Sequence, residues 1–178
     1  MTKYEEICKA FKKGLPRRLA LSRAVEELPL RMRDALSSEL GVPPELAEFL
    51  SSKYKHDIRY VYLARPMQAA HGQWTWEPCL SDDVYYRDQD GVLTFGLGLY
   101  IPMTGFQNYM LHVAVAVEDI TEDKFALKIV NASGAISVKM DDTNSYNDAA
   151  KKIGQWLLDL QSDPRASLGD KASMGFSR

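Results

Sequence analysis

Glu122-Asp123-Lys124, with Glu118 and Asp119 just upstream, spells the Glu-x-Lys of a metal-dependent nuclease. Such a site needs carboxylates on rigid strands that converge on one metal ion. These five residues fall in or beside a predicted hairpin turn, where acids and lysines are commonplace, so no metal is expected. Gly96-Leu97-Gly98 opens like a dinucleotide fingerprint, but Ile101 stands where the third glycine belongs, and the pair lies inside a strand. His71, Glu77, Cys79, His112 and His56 are residue types for zinc or Cys-His chemistry. They lack Cys-x-x-Cys or His-Glu-x-x-His spacing. Cys79 follows Pro78 and reads as a small, half-buried hydrophobe. The chain has no Gly-x-Ser-x-Gly and no phosphate-binding loop, and no cofactor is implied.

The elements that would position these residues change character at residue 57. Before it, the apolar period is helical. Tyr4, Ile7, Cys8 and Phe11 make one amphipathic helix over 3–13, which Gly14 and Pro16 are expected to end. A second helix starts at Pro16 and breaks at Pro29, a third runs to Leu40 with Gly41 as its stop, and a fourth begins at Pro43-Pro44. After residue 57 the period is two. Strands are predicted over 58–63, 73–77, 83–87, 92–101, 109–118, 124–130 and 135–140, with short connections such as Asp88-Gln89-Asp90-Gly91. Strands that follow one another without helices between them form an antiparallel meander. Ser145, with Asp148 three residues on, is expected to cap a last helix that buries Ala149, Ile153, Leu157 and Leu160 and stops at Pro164.

Two of the strands have unequal faces. Leu93, Phe95, Leu97, Leu99 and Ile101 point one way; Val92, Thr94, Gly96, Gly98 and Tyr100 point the other. In the next strand Tyr109, Leu111, Val113, Val115 and Val117 are bulky, whereas Met110, His112, Ala114 and Ala116 are mostly small. Pairing across the 102–108 loop places Gly98 near His112 and Gly96 near Ala114. One sheet face is then bulky, and the other is a trough floored by glycine and alanine and rimmed by Thr94, Tyr100, Met110 and His112. Small residues at mid-strand let something approach closely, either a helix of this chain or a ligand. Trp74, Trp76, Tyr85 and Tyr86 lie near Asp82 and Asp83, and aromatics with one polar end suit binding surfaces as well as strands.

Residues 36–50, Leu36-Ser37-Ser38-Glu39-Leu40-Gly41-Val42-Pro43-Pro44-Glu45-Leu46-Ala47-Glu48-Phe49-Leu50, resemble the helix-turn-helix of bacterial regulators. The resemblance implies a DNA-binding unit over 31–55. Its second helix would carry Glu45 and Glu48, which repel phosphates, and Phe49, which cannot read base edges.

Charge is uneven. The net of −2 hides +3 over residues 1–55, −7 over 56–150 and +2 over 151–178. Lys9, Lys12, Lys13, Arg17, Arg18 and Arg23 cluster near the start, and Lys12, Lys13, Arg17 and Arg18 are the candidates for an anion. With no aromatics interleaved there, nucleic acid is not an expected partner. The 178 residues are 46% hydrophobic and 26% charged, the balance of an ordinary globular domain. Two cysteines exclude a disulfide scaffold and favour a reducing, cytoplasmic setting. The apolar stretches, such as 113–117, are too short to cross a bilayer, and the first residues do not read as a signal segment.

The expected fold is α+β: a helical segment over 1–56, an antiparallel sheet of five to seven strands plus a C-terminal helix over 57–161 forming one unit with it, and a flexible tail over 162–178. The expected function is non-enzymatic binding of a protein or small ligand through Thr94, Gly96, Gly98, Tyr100, Met110, His112, Trp74, Trp76 and Tyr85. The alternative is a small enzyme in the trough, with His112 and Tyr100, aided by His71 or Glu77, as acid–base groups.

Overall fold

The computed structural model describes residues 2–43, 45–68, 74–102, 108–130 and 132–162; the side chains of Gln68, Trp74, Gln161 and Ser162 fall outside that description. Ser162, the first residue of the expected tail, ends a helix; the rest of that tail and the Pro164 stop lie outside the described residues, as does His71.

Helix α1 runs unbroken over Lys3–Leu40. Thr2 caps it, accepting from the Glu5 backbone N–H while the Glu5 carboxylate accepts from the Thr2 N–H. Gly41 ends it in the left-handed conformation, φ 61°. The expected breaks at Gly14, Pro16 and Pro29 do not occur, because both prolines sit inside the helix. Proline removes one helical hydrogen bond and crowds the preceding turn. At Pro16 the surroundings are exposed, so water reaches the freed carbonyl. At Pro29 the flanking Leu28, Met32 and Leu36 are buried in the core, and their packing outweighs the lost bond.

A short helix, α2 (Glu48–Tyr54), follows. Seven strands come next: β1 (Val61–Gln68), β2 (Trp74–Pro78), β3 (Tyr86–Arg87), β4 (Leu93–Ile101), β5 (Tyr109–Ile120), β6 (Lys124–Ile129) and β7 (Ala135–Lys139). A 3-10 turn at Ser81–Asp83 precedes β3. All pairings are antiparallel, in the order β2-β1-β4-β5-β6-β7, with β3 on β4 beyond the end of β1. Helix α3 (Thr143–Ser162) is the last described element, and the fold is α+β as expected. It starts two residues before Ser145, so Ser145 is not its cap. The Ser145 hydroxyl instead donates to the Lys139 and Asp142 carbonyls and accepts from the Lys139 N–H, tying helix to strand.

The bulky sheet face carries the main core. Phe95, Leu97, Val113, Val115, Phe125, Leu127 and Val138 pack beneath Leu28, Met32 and Leu36 of α1 and Ala149, Ala150 and Ile153 of α3. The two helices run the same way: Arg31 donates to the Met140 carbonyl (2.8 Å) and lies over the Tyr146 ring, while Leu40 is beside Gly154. Helix α2 packs on the other face, where Ala47 and Leu50 join Ile58, Tyr62, Ala64, Tyr100 and Met110. A helix-turn-helix needs its two helices packed on each other. Here α1 and α2 bury their apolar sides on opposite faces of one sheet, so nothing in the placement of 31–55 supports that unit.

Candidate functional site

The β4–β5 register is the expected one, with Gly96 opposite Ala114 and Gly98 opposite His112. On the other side of β4, β1 sets Tyr62 opposite Gly98 and Ala64 opposite Gly96. Tyr62, Gly98 and His112 therefore stand in one row across three strands. The tyrosine ring lies over the glycine, and its hydroxyl is hydrogen-bonded to His112 Nε2 at 2.8 Å. Trp76, from edge strand β2, reaches across Ala64 and covers Gly96, and its indole stacks on the His112 ring at 5.3 Å and 2°. The glycine and alanine trough thus exists, but three aromatic rings of this sheet fill it. Residue size on one strand showed that something must lie there; which strand supplied it depended on the pairing of β1 with β2 and β4.

The cluster is closed. His112 and Tyr62 are each 3% exposed, and Thr94 and Met110 are buried. Burial, with a smaller contribution from Tyr54, pushes the Tyr62 phenol well above its usual range and holds the proton on it. Tyr100 is buried between Phe49 of α2, stacked at 6.2 Å, and Tyr60 at 5.8 Å. Glu77 faces the opposite side of the sheet from Trp76, its immediate neighbour in β2, and pairs with Arg65 on β1 at 3.3 Å. Glu77 and His112 therefore cannot act on one substrate atom. Tyr85 is also elsewhere: its hydroxyl donates to the Val25 carbonyl (2.6 Å) and its ring edge meets Phe95, which bolts α1 to the sheet. Of the binding candidates, Thr94, Gly96, Gly98, Tyr100, Met110, His112 and Trp76 share one face. Among the described residues, Trp76 Nε1 has no hydrogen-bond partner.

Cys79 sits just past β2, its backbone N–H donating to the Leu63 carbonyl. Burial pushes its thiol up to about 11; Arg65 pulls it down, and Asp83 and Glu77 add to the rise. A nucleophilic cysteine shows the reverse, a depressed pKa beside a cation or a base. Alkylation of Cys79 by iodoacetamide, followed by peptide mass spectrometry, is expected to be slow at neutral pH and to accelerate up to about pH 11; a plateau near the ordinary value of 9.0 would contradict the burial. The folded state holds this proton more tightly than the unfolded chain does. Its contribution to stability is therefore present below pH 9.0 and lost as the pH climbs through about 11.

The basic cluster lies on the first five turns of α1, which are almost wholly exposed. From residue 2 to residue 20 every side is exposed except at Cys8 and Gly14. Arg17 reaches Glu122 in the β5–β6 turn, and the Arg18 guanidinium lies over the Phe11 ring at 5.2 Å. Lys12 and Lys13 are exposed. Tyr4, Ile7, Phe11, Leu15 and Leu19 make an apolar stripe along this arm, with Tyr4 75% and Ile7 66% exposed. At about 100° per residue, the stripe centres roughly a quarter turn from the seam of Leu21, Val25, Leu28 and Met32 that packs on the sheet. Ile7 falls at the angle of Val25 and Phe11 beside that of Leu36, so the stripe overlaps the core seam and widens it to one side. Its first three members are the apolar side of the amphipathic helix that the sequence predicts over 3–13.

No family, no curated protein and no solved structure matches this chain.

Proposed function

We propose that the protein is a non-enzymatic binding protein that engages a protein partner through the α1 arm. The carrying observation is the exposed stripe of Tyr4, Ile7, Phe11, Leu15 and Leu19 on the first turns of α1, which are almost wholly exposed. Exposed apolar groups at this spacing are the anchors by which an amphipathic helix enters a groove. Residues 3–23 carry seven Lys and Arg against two Glu, so the partner is a protein whose apolar groove has an acidic rim. A second arm of the same charge fits this surface poorly. The trough, expected as the binding surface, is filled by Trp76, Tyr62 and His112, which leaves α1 as the larger open apolar surface.

Photo-crosslinking from position 11, with position 13 on the opposite side as control, tests this in the native host. Position 11 is expected to capture one protein that position 13 does not. Once purified, that protein should bind the full chain with an affinity that falls steeply with salt. Capture of a second copy, of lipid or of nucleic acid from position 11 would overturn the reading, as would equal capture from both positions.

A further inference from the structure

From Tyr4 to Met32 one row of positions runs unbroken along α1: Tyr4, Ile7, Phe11, Gly14, Arg18, Leu21, Val25, Leu28 and Met32, spaced alternately by three and four residues. This is the heptad spacing of a helix that packs side by side with another helix. The far end of the row is already covered, with Leu28 and Met32 buried in the core. Toward the start the same row comes out into solvent, and exposure rises from Phe11 through Ile7 to Tyr4.

Two members of the exposed part are unlike the rest. Glycine weakens a helix interior, yet Gly14 stands in the row. Among the described residues a β-carbon there would come near only the Arg18 side chain, 3.9 Å away, so the position is an open notch. Arg18 is the one charged residue in the row. Its side chain runs back past Gly14, and its guanidinium lies over the Phe11 ring at 5.2 Å. Lys9, Lys12, Lys13, Arg17 and Arg23 all fall outside the row. Arg17 is paired with Glu122, whereas Arg18 has no carboxylate partner among the described residues. A guanidinium in an apolar seam loses its water when the seam is covered, and then needs a carboxylate. A single polar group at such a position fixes which helix pairs and in which register.

We infer, on the reading that the arm is the docking surface, that the partner's element there is an α-helix laid side by side along residues 4–18, with an apolar knob seated at Gly14 and a carboxylate facing Arg18. A strand repeats its side chains every two residues and does not follow a row spaced by three and four. A second copy of the arm does not supply the carboxylate, because Glu5 and Glu6, the only acids of residues 3–23 before Glu26, lie outside the row.

The test uses the full chain and the purified protein that position 11 captures. Photo-crosslinkers at positions 4, 7, 11 and 14 are expected to join partner residues three or four apart in its sequence, read by peptide mass spectrometry. An Arg18→Lys chain treated with a carbodiimide is expected to couple to an aspartate or glutamate in that same stretch. Arg18→Met and Gly14→Leu should each weaken binding about tenfold, although neither disfavours the helix and neither should lower the unfolding midpoint. On a plain apolar seam both would tighten it. Partner sites two apart or scattered, no coupling from position 18, or binding of either variant as tight as the parent's or tighter overturns the inference and leaves the arm reading standing. Capture of no protein from position 11, or a Phe11→Asp chain that binds like the parent, overturns both.

Discussion

Gly96→Ala is expected to destabilise the protein by about 3 kcal/mol, more than an exposed helix substitution and as much as loss of a core side chain. A β-carbon built on Gly96 falls 2.5 Å from the Ala64 carbonyl oxygen and 2.5 Å from Trp76 Cζ3. The indole can tilt, but the carbonyl belongs to the adjacent strand and moves only if the β1–β4 ladder moves. At Gly98 the new carbon would meet the Tyr62 ring, itself held by α2 and by His112. Gly98→Ala is therefore expected to cost ~1–3 kcal/mol. Combined with Tyr62→Ala, its cost should be much smaller than the two single losses added, because the truncated residue no longer occupies the space. Urea unfolding of the four chains measures this. Strict additivity, or a Gly98→Ala midpoint equal to the parent's, would mean that the ring does not lie over the glycine.

The second large effect concerns binding with folding left intact. Phe11→Asp is expected to weaken the partner captured from the arm by about 30-fold or more, the scale of a central aromatic anchor. Its unfolding midpoint should stay within about 0.5 kcal/mol of the parent's, since Phe11 is 51% exposed and on an arm that is almost wholly exposed. Met32→Ala, on the same helix but in the core, should show the opposite pattern, with a loss of ~2–5 kcal/mol in stability. Reversing Lys9, Lys12 and Lys13 to glutamate should slow association and flatten its salt dependence. A Phe11→Asp chain that binds as well as the parent would remove the stripe from the interface. Unfolding of that variant would instead place the arm within the core.

The strands and much of their pairing were legible in the sequence because the side-chain period of a strand is two and the alternation here is strong. Leu93 to Ile101 sets large residues on one face and small ones on the other. Tyr109 to Val117 repeats the pattern, so the register with Gly98 beside His112 followed once the two were paired. Boundaries shifted by a few residues at β1 and β3, where Tyr60 and Val84 are strand-forming types that lie outside the assigned strands. Two features needed the tertiary structure. Gly14, Pro16 and Pro29 are local signals for helix breaks, and the unbroken α1 overrides them because its far half is paid for by packing on the sheet and its near half by water. The cover of the trough was equally out of reach. That Gly96 and Gly98 are small is a local fact, whereas the rings that fill the space come from Tyr62 and Trp76, brought there by β1 and β2. Sequence fixes which positions are small, but only the long-range pairing of strands decides which large residues lie across them, because side-chain contact between strands depends on register and not on distance along the chain.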